Sequence, residues 1–242
     1  RHFLTDMKRK MMMSLFRFQR VQSPAGSCTM TGAVWGSADQ ATASAAGDAD
    51  LGFLPEWNLN DLYPGLDSDQ LKHDQERFAQ DAKAFAADYQ GKLKDLALRP
   101  DAATELHRAI ARYEQIDDGL GRLISYAGLV YAGDTTDPVK AKFYGDTQDA
   151  LTRISSDLLF FVLELNRLED ALLNRLQAIP PLNHYSPWLK EIRLEKPYQL
   201  DDQLEKLFHE KAATGRAAWN RLFDETISSL RFAFKGEELT IE

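Results

Sequence analysis

The stretch DPVKAKFYGDTQDALTRISSDLLFFVLELNRLEDAL, residues 137–172, decides the fold class. Asp137-Pro138 supplies an N-cap and a proline at the first helical position. Beyond it Tyr144, Thr147, Leu151, Ile154, Leu158, Phe161, Leu165, Leu168 and Leu172 recur at alternating steps of three and four. That spacing predicts one long helix with a heptad-like apolar seam, which needs a partner packed at a shallow angle. Each large side chain on the seam gains roughly 1.5–3 kcal/mol when covered, so it cannot be left in water. The short link from Gly133 to Asp137 makes the preceding segment its antiparallel neighbour. An intermolecular coiled coil through the same seam is the alternative.

Working backwards, Pro100-Asp101 opens that preceding helix, with Leu106, Ile110, Tyr113, Leu120, Leu123, Ala127 and Val130 on one face. Gly119 and Gly121 weaken its middle, and a kink is expected there. Ser68 caps an earlier helix that runs to Tyr89, where Gly91 ends it. Before it, Leu54-Pro55-Glu56-Trp57-Asn58-Leu59-Asn60-Asp61-Leu62-Tyr63-Pro64-Gly65 reads as an extended strap pinned by its apolar residues.

Working forwards, Pro180-Pro181 stops the long helix. Ser186-Pro187 starts another, carrying Trp188, Leu189 and Ile192 inward until Pro197. Asp201 or Asp202 caps the next, with Leu204, Leu207 and Phe208 facing the core. Thr214-Gly215 separates it from a last helix holding Trp219, Leu222, Phe223, Ile227 and Leu230. Arg231–Phe234 and Leu239–Ile241 alternate about a turn at Lys235–Glu238, which predicts a β-hairpin. The fold class is therefore mainly α: a helical bundle with a long antiparallel helical hairpin and a terminal β-hairpin.

Residues 1–50 differ from the rest. Arg1, Lys8, Arg9, Lys10, Arg17 and Arg20 stand against Asp6 alone, and Ser37 to Asp50 is a small-residue stretch. The apolar part behind the basic cluster is too short for a secretory signal and is broken by Arg17 and Arg20. An Arg-rich presequence and a surface-binding basic helix are further readings. The reading favoured is a disordered extension, or upstream read-through ahead of a start such as Met30, because so little apolar area cannot offset chain entropy. Ordered structure is expected over 51–242.

The net charge of −8 comprises +5 on residues 1–30 and −13 on the remainder. An acidic body repels nucleic-acid phosphate, so no nucleic-acid partner is expected. No apolar run approaches a membrane span. The single cysteine, Cys28, excludes an intramolecular disulfide and a cysteine-based zinc site, and suits a cytoplasmic protein.

Candidate chemistry centres on His209-Glu210-Lys211-Ala212-Ala213. A zinc peptidase helix needs H-E-x-x-H, two imidazoles one turn apart on one ion. Here the second position is Ala213. His209 and Glu210 are adjacent and diverge by about a hundred degrees around a helix, too far apart to chelate together. A partly exposed helix end is the expected setting. His73, His107 and His184 have no histidine four residues on. Asp117-Asp118, Glu164, Glu169-Asp170, Asp201-Asp202 and Glu237-Glu238 could do acid–base work only in a shielded cleft, and solvated positions are expected for them. No phosphate-binding or nucleophile-elbow motif is present.

Two blocks carry a family resemblance. Leu54–Gly65, LPEWNLNDLYPG, and Leu207–Glu225, LFHEKAATGRAAWNRLFDE, resemble the amino-terminal region of the oligoendopeptidase F family of zinc metallopeptidases, and Ser229–Leu239, SLRFAFKGEEL, fits the same region. The resemblance implies a largely helical, thimet-oligopeptidase-like fold around a deep channel, with short peptides as substrates and one zinc ion as cofactor. In that family zinc lowers the pKa of a bound water and a glutamate takes its proton. The family's H-E-x-x-H helix and its third, glutamate ligand lie nearer the carboxyl end, and no position here matches them. The implied catalytic, cofactor and metal residues of this chain are therefore none. The implied role is a channel wall of a peptidase whose catalytic region lies beyond residue 242. A stand-alone interaction module using the 144–172 seam is the competing reading, and a membrane or RNA binder through residues 8–20 ranks below it.

Overall fold

The computed structural model describes residues 58–239. Cys28, the basic stretch 8–20, Leu54, Trp57 and Ile241 lie outside the described residues. Residues 59–239 form helices followed by one hairpin of strands, so the fold is mainly α.

Helix α1 spans Asp69–Tyr89. Ser68 caps it by accepting from the Leu71 amide, and Leu71, Asp74, Phe78, Ala82 and Phe85 bury one stripe at three- and four-residue steps. Ahead of it the described part of the strap, from Asn58 onward, is a turn and not an extended run. The Leu62 and Tyr63 amides both donate to the Leu59 carbonyl. Tyr63 is fully buried, donates to Asp74 Oδ2 at 3.0 Å and lies beneath the Arg122 guanidinium. Arg122 in turn donates to the Leu62 carbonyl at 2.6 Å. One tyrosine thus ties the strap to α1 and, through Arg122, to the helical hairpin.

Helix α2, Leu93–Ala97, has no counterpart in the sequence reading. It is five residues long, too short to show a period. Helix α3, Ala102–Gly133, and helix α4, Pro138–Ser156, pack against each other as the expected helical hairpin. Asp137 caps α4 through the Val139 and Lys140 amides. Helix α3 runs unbroken past Gly119 and Gly121. Gly119 serves close approach: a Cβ there would lie 1.9 Å from Phe78 Cζ, so its absence lets the ring of α1 rest on the α3 backbone.

The long helix expected over 138–172 is three helices. Helix α4 ends at Ser156, α5 covers Leu159–Arg167 and α6 covers Asp170–Leu176. Ser155 and Ser156 both turn their hydroxyls back to the Thr152 carbonyl, competing with the helix's own amides. After the second break, the carbonyls of Asn166 and Leu168 accept from Arg193 at 2.6 and 2.7 Å. The breaks turn the apolar run Leu158–Leu163 so that Leu158, Phe160, Phe161 and Leu163 are all buried, more than one straight helical face allows. Phe161 stacks on Tyr113 at 5.1 Å and meets Phe85 edge-on at 5.0 Å, which makes the aromatic centre of the core.

The seam residues Thr147, Leu151, Ile154, Leu158, Phe161, Leu165 and Leu168 are all buried within the chain. Tyr144 and Leu172 at its two ends are half-buried, so the seam is covered mainly from within the chain.

Helix α7 spans Ser186–Arg193 and buries Leu189 as expected, while Trp188 and Ile192 pack at the edge of the core. Helix α8, Asp202–Thr214, is capped by Asp201, and helix α9 spans Arg216–Ser229. Here the sequence reading is corrected. Leu204, Leu207 and Phe208, expected to face inward, are exposed, as are Trp219, Leu222 and Phe223. Strand β1, Phe232–Phe234, pairs antiparallel with β2, Glu237–Leu239, in register Phe232 with Leu239. Lys235 and Gly236 form a two-residue turn with positive φ at both positions, so Glu237 and Glu238 lie in the strand rather than the turn.

Candidate functional site

Among the described residues no group of three or more histidine, cysteine or carboxylate side chains stands close enough to hold a metal ion. His209 lies on α8 and turns toward α4, where Nε2 is 2.8 Å from the Ser155 hydroxyl oxygen. Burial depresses its pKa, against the opposing pull of the Thr152 backbone and of Glu210. The expected partly exposed helix end is half-buried and is in addition a contact between two helices. Glu210 points away to Lys206 at 3.9 Å. One turn on from His209 stands Ala213, and this donor set does not fit zinc. His107 and His184 both pack on the Tyr185 ring, while His73 is exposed.

The carboxylates expected to be solvated divide into three kinds. Glu164 of α5 accepts from the Gly91 amide at 2.6 Å and more weakly from the Leu93 amide, so it satisfies donors at the start of α2. Asp170 pairs with Lys196 and Arg193, Asp202 pairs with Arg167, and Asp201 caps α8. Asp117 is different. On α3 and half-buried, it loses enough water that desolvation, followed by the charges of Asp118 and Glu114, pushes its pKa up to about 7. Sequence reasoning named Asp117-Asp118 as a candidate pair but expected both to be solvated; only the folded chain shows that Asp117 is half-buried while Asp118 stays exposed. Glu114 accepts from the Tyr185 hydroxyl at 2.7 Å, which holds the acidic patch beside the turn before α7. A carboxyl poised near neutrality can exchange a proton. The patch holds no histidine, serine or cysteine hydrogen-bonded to Asp117, so it is not a nucleophile–base pair.

An open groove of about 400 Å³ runs between α1 and α3, lined by Arg77, Phe78, Asp81, Arg112, Gln115 and Ile116. Its two cations are matched within the chain: Arg77 pairs with Asp74 at 3.0 Å and Arg112 with Asp88 at 2.6 Å.

Among the described residues, the exposed surface of the last elements is strongly apolar. Leu204, Leu207 and Phe208 on α8, Trp219, Leu222 and Phe223 on α9, and Phe232, Phe234 and Leu239 on the hairpin are all exposed. Trp219 keeps 70% of its surface in solvent. So much exposed apolar and aromatic surface along consecutive elements marks an interaction face. The sequence carried the signal as apolar periodicity but gave no sign of which neighbour covers it.

The stretch that carries this face has counterparts among known proteins. The Oligopeptidase F family model matches residues 164–232, from the middle of α5 to the start of β1. Oligopeptidase PepF of Bacillus subtilis (strain 168) is 26% identical over 155 residues, 64% of this chain and 22% of that protein. The matched stretch therefore spans about a fifth of the curated relative. The crystal structure of oligoendopeptidase-F from Enterococcus faecium shares the fold, with a TM-score of 0.59 over 72% of this chain and 34% of that one, at 18% identity. Among the described residues no helix is long and apolar enough to cross a membrane. The sequence matches and the shared fold point the same way: the chain is similar to the amino-terminal portion of oligoendopeptidase F family members.

Proposed function

We propose that residues 51–242 form the amino-terminal, channel-wall region of a cytoplasmic, zinc-dependent oligoendopeptidase that hydrolyses short peptides. One observation carries this reading. The exposed apolar residues of α8 and α9 all fall within the stretch that matches the Oligopeptidase F family. A surface of that kind is stable in water only when something covers it. The proposed cover is the zinc-bearing catalytic part of the enzyme, since the relatives extend well past the matched stretch.

In this reading the zinc ion and the glutamate that works with it belong to that catalytic part. The described residues do not fit the ion, and no catalytic step is assigned to them. Their contribution is shape and charge: an acidic wall that admits unfolded short peptides and excludes folded chains.

The test is hydrolysis of short fluorogenic peptides. The chain with zinc alone is expected to give no turnover. Mixed with the separately purified catalytic part of a family member lacking its amino-terminal region, it is expected to restore cleavage of short peptides. Robust turnover by the chain alone would overturn the reading, as would failure to bind the catalytic part.

A further inference from the structure

Tyr131, near the end of α3, is only 6% exposed, yet its hydroxyl has no hydrogen-bond partner. Its ring is held in place by stacking on Tyr144 of α4, with centroids 5.1 Å apart and planes 6° from parallel. Arg221, Asp224 and Glu225 of α9 stand close enough to act on the hydroxyl. Burial raises its pKa first, the carboxylates of Glu225 and Asp224 raise it further, and the Arg221 guanidinium opposes them. Arg221 rests on the α4 backbone beside the tyrosine pair: a Cβ on Gly145 would lie 3.2 Å from its Nη1. The same side chain approaches Glu225 Oε1 to 3.9 Å through Nε. An unpaired donor on the hairpin is thus opposed by acceptors on α9.

We propose that α9 is a latch on the α3–α4 hairpin, with a closed position in which the Tyr131 hydroxyl donates to the Glu225 carboxylate. Arg221 is the positioning residue. Seated on Gly145, it keeps the carboxylate partly neutralised while α9 moves inward by the small distance the bond needs. The chemistry is complementary, because tyrosine has one proton to donate and an ionised carboxylate only accepts. A bond of that kind is charge-assisted, with the Glu225 side chain keeping 47% of its surface in solvent. No proton is transferred. The closed position would draw in the arm whose outer face carries Trp219 and Phe223.

The sign of one substitution tests the proposal. An orphaned hydroxyl that stays orphaned is a burden, and phenylalanine in its place would be neutral or better. A hydroxyl that closes a latch is missed when it is removed. Hydrogen exchange on the full chain, resolved by peptide, reads the difference. Tyr131→Phe is expected to speed exchange of α9 amides about fivefold or more while α3 and α4 stay unchanged. Glu225→Ala should do the same, and the double variant should be no faster than either single one. Unchanged or slower α9 exchange in Tyr131→Phe overturns the latch. So does a uniform loss of protection across α3, α4 and α9, which would report damage to the hairpin instead.

Discussion

His209 Nε2 lies 2.8 Å from the Ser155 hydroxyl, so the residue that looks like half of a zinc motif instead fastens α8 to α4. Its pKa is depressed from 6.5, chiefly by burial. The folded state therefore prefers the neutral ring. Stability from this contact is present above pH 6.5 and is lost as pH falls through the lower folded value. Chemical denaturation across that range should show stability falling on acidification, with the effect removed in His209→Gln. A variant that keeps the full acid sensitivity would rule out His209 as its source.

Asp117 predicts the opposite slope. Its pKa is raised from 3.8 to about 7, first by burial and then by Asp118 and Glu114. Between those values the unfolded chain is ionised and the folded one resists ionisation, so this residue costs stability as pH rises toward neutrality. The side chain keeps some contact with solvent, which reduces the cost below the full conversion of about 1.4 kcal/mol per unit. Asp117→Asn should stabilise the protein by about 1–2 kcal/mol at neutral to alkaline pH and by little at acid pH. A titration of stability in the variant and its parent checks it; equal curves would contradict the assignment.

Gly119 predicts a packing defect. A methyl group there would fall 1.9 Å from Phe78 Cζ, and both Cε atoms lie within 2.4 Å of the same point, so the whole ring would have to shift. Gly119→Ala should destabilise by about 3 kcal/mol through overpacking. Thermal melting measures it, and Phe78→Leu in the same chain should recover part of the loss by vacating the ring's volume. Alanine tolerated without change in Tm would show that α1 and α3 slide freely.

The outward face of α8 and α9 predicts self-association of the isolated chain. Phe208, Trp219 and Phe223 are 46%, 70% and 64% exposed. Size-exclusion chromatography should show concentration-dependent aggregation, reduced in the triple variant Phe208→Ser, Trp219→Ser, Phe223→Ser with folding stability nearly unchanged, since none of the three is in the core. A clean monomer before substitution would argue against an interaction face.

Much of this was legible in the residues. The Asp137 cap, the Ser68 cap and the hairpin of helices follow from local rules and appear as read, while the seam read from Tyr144 to Leu172 is buried from Thr147 to Leu168 but runs over broken helices rather than one. The breaks at Ser156 and Arg167 were not legible, because the threes-and-fours pattern continues straight through both of them. At the first a serine pair bonds back to Thr152, and at the second Arg193 of α7 takes the freed carbonyls, a partner 25 and more residues away.

By itself the sequence determined that the chain is helical, that it resembles the amino-terminal part of a peptidase family, and that Ala213 stands where a second imidazole would be needed. Periodicity, caps and ligand spacing are short-range properties, and the chain states them directly. The tertiary structure alone decided which apolar faces meet one another and which are left to solvent, which of two adjacent aspartates loses its water, and where His209 and Tyr131 point. Those outcomes depend on residues 50 and more positions apart packing together, and no local pattern encodes the depth at which a side chain comes to rest.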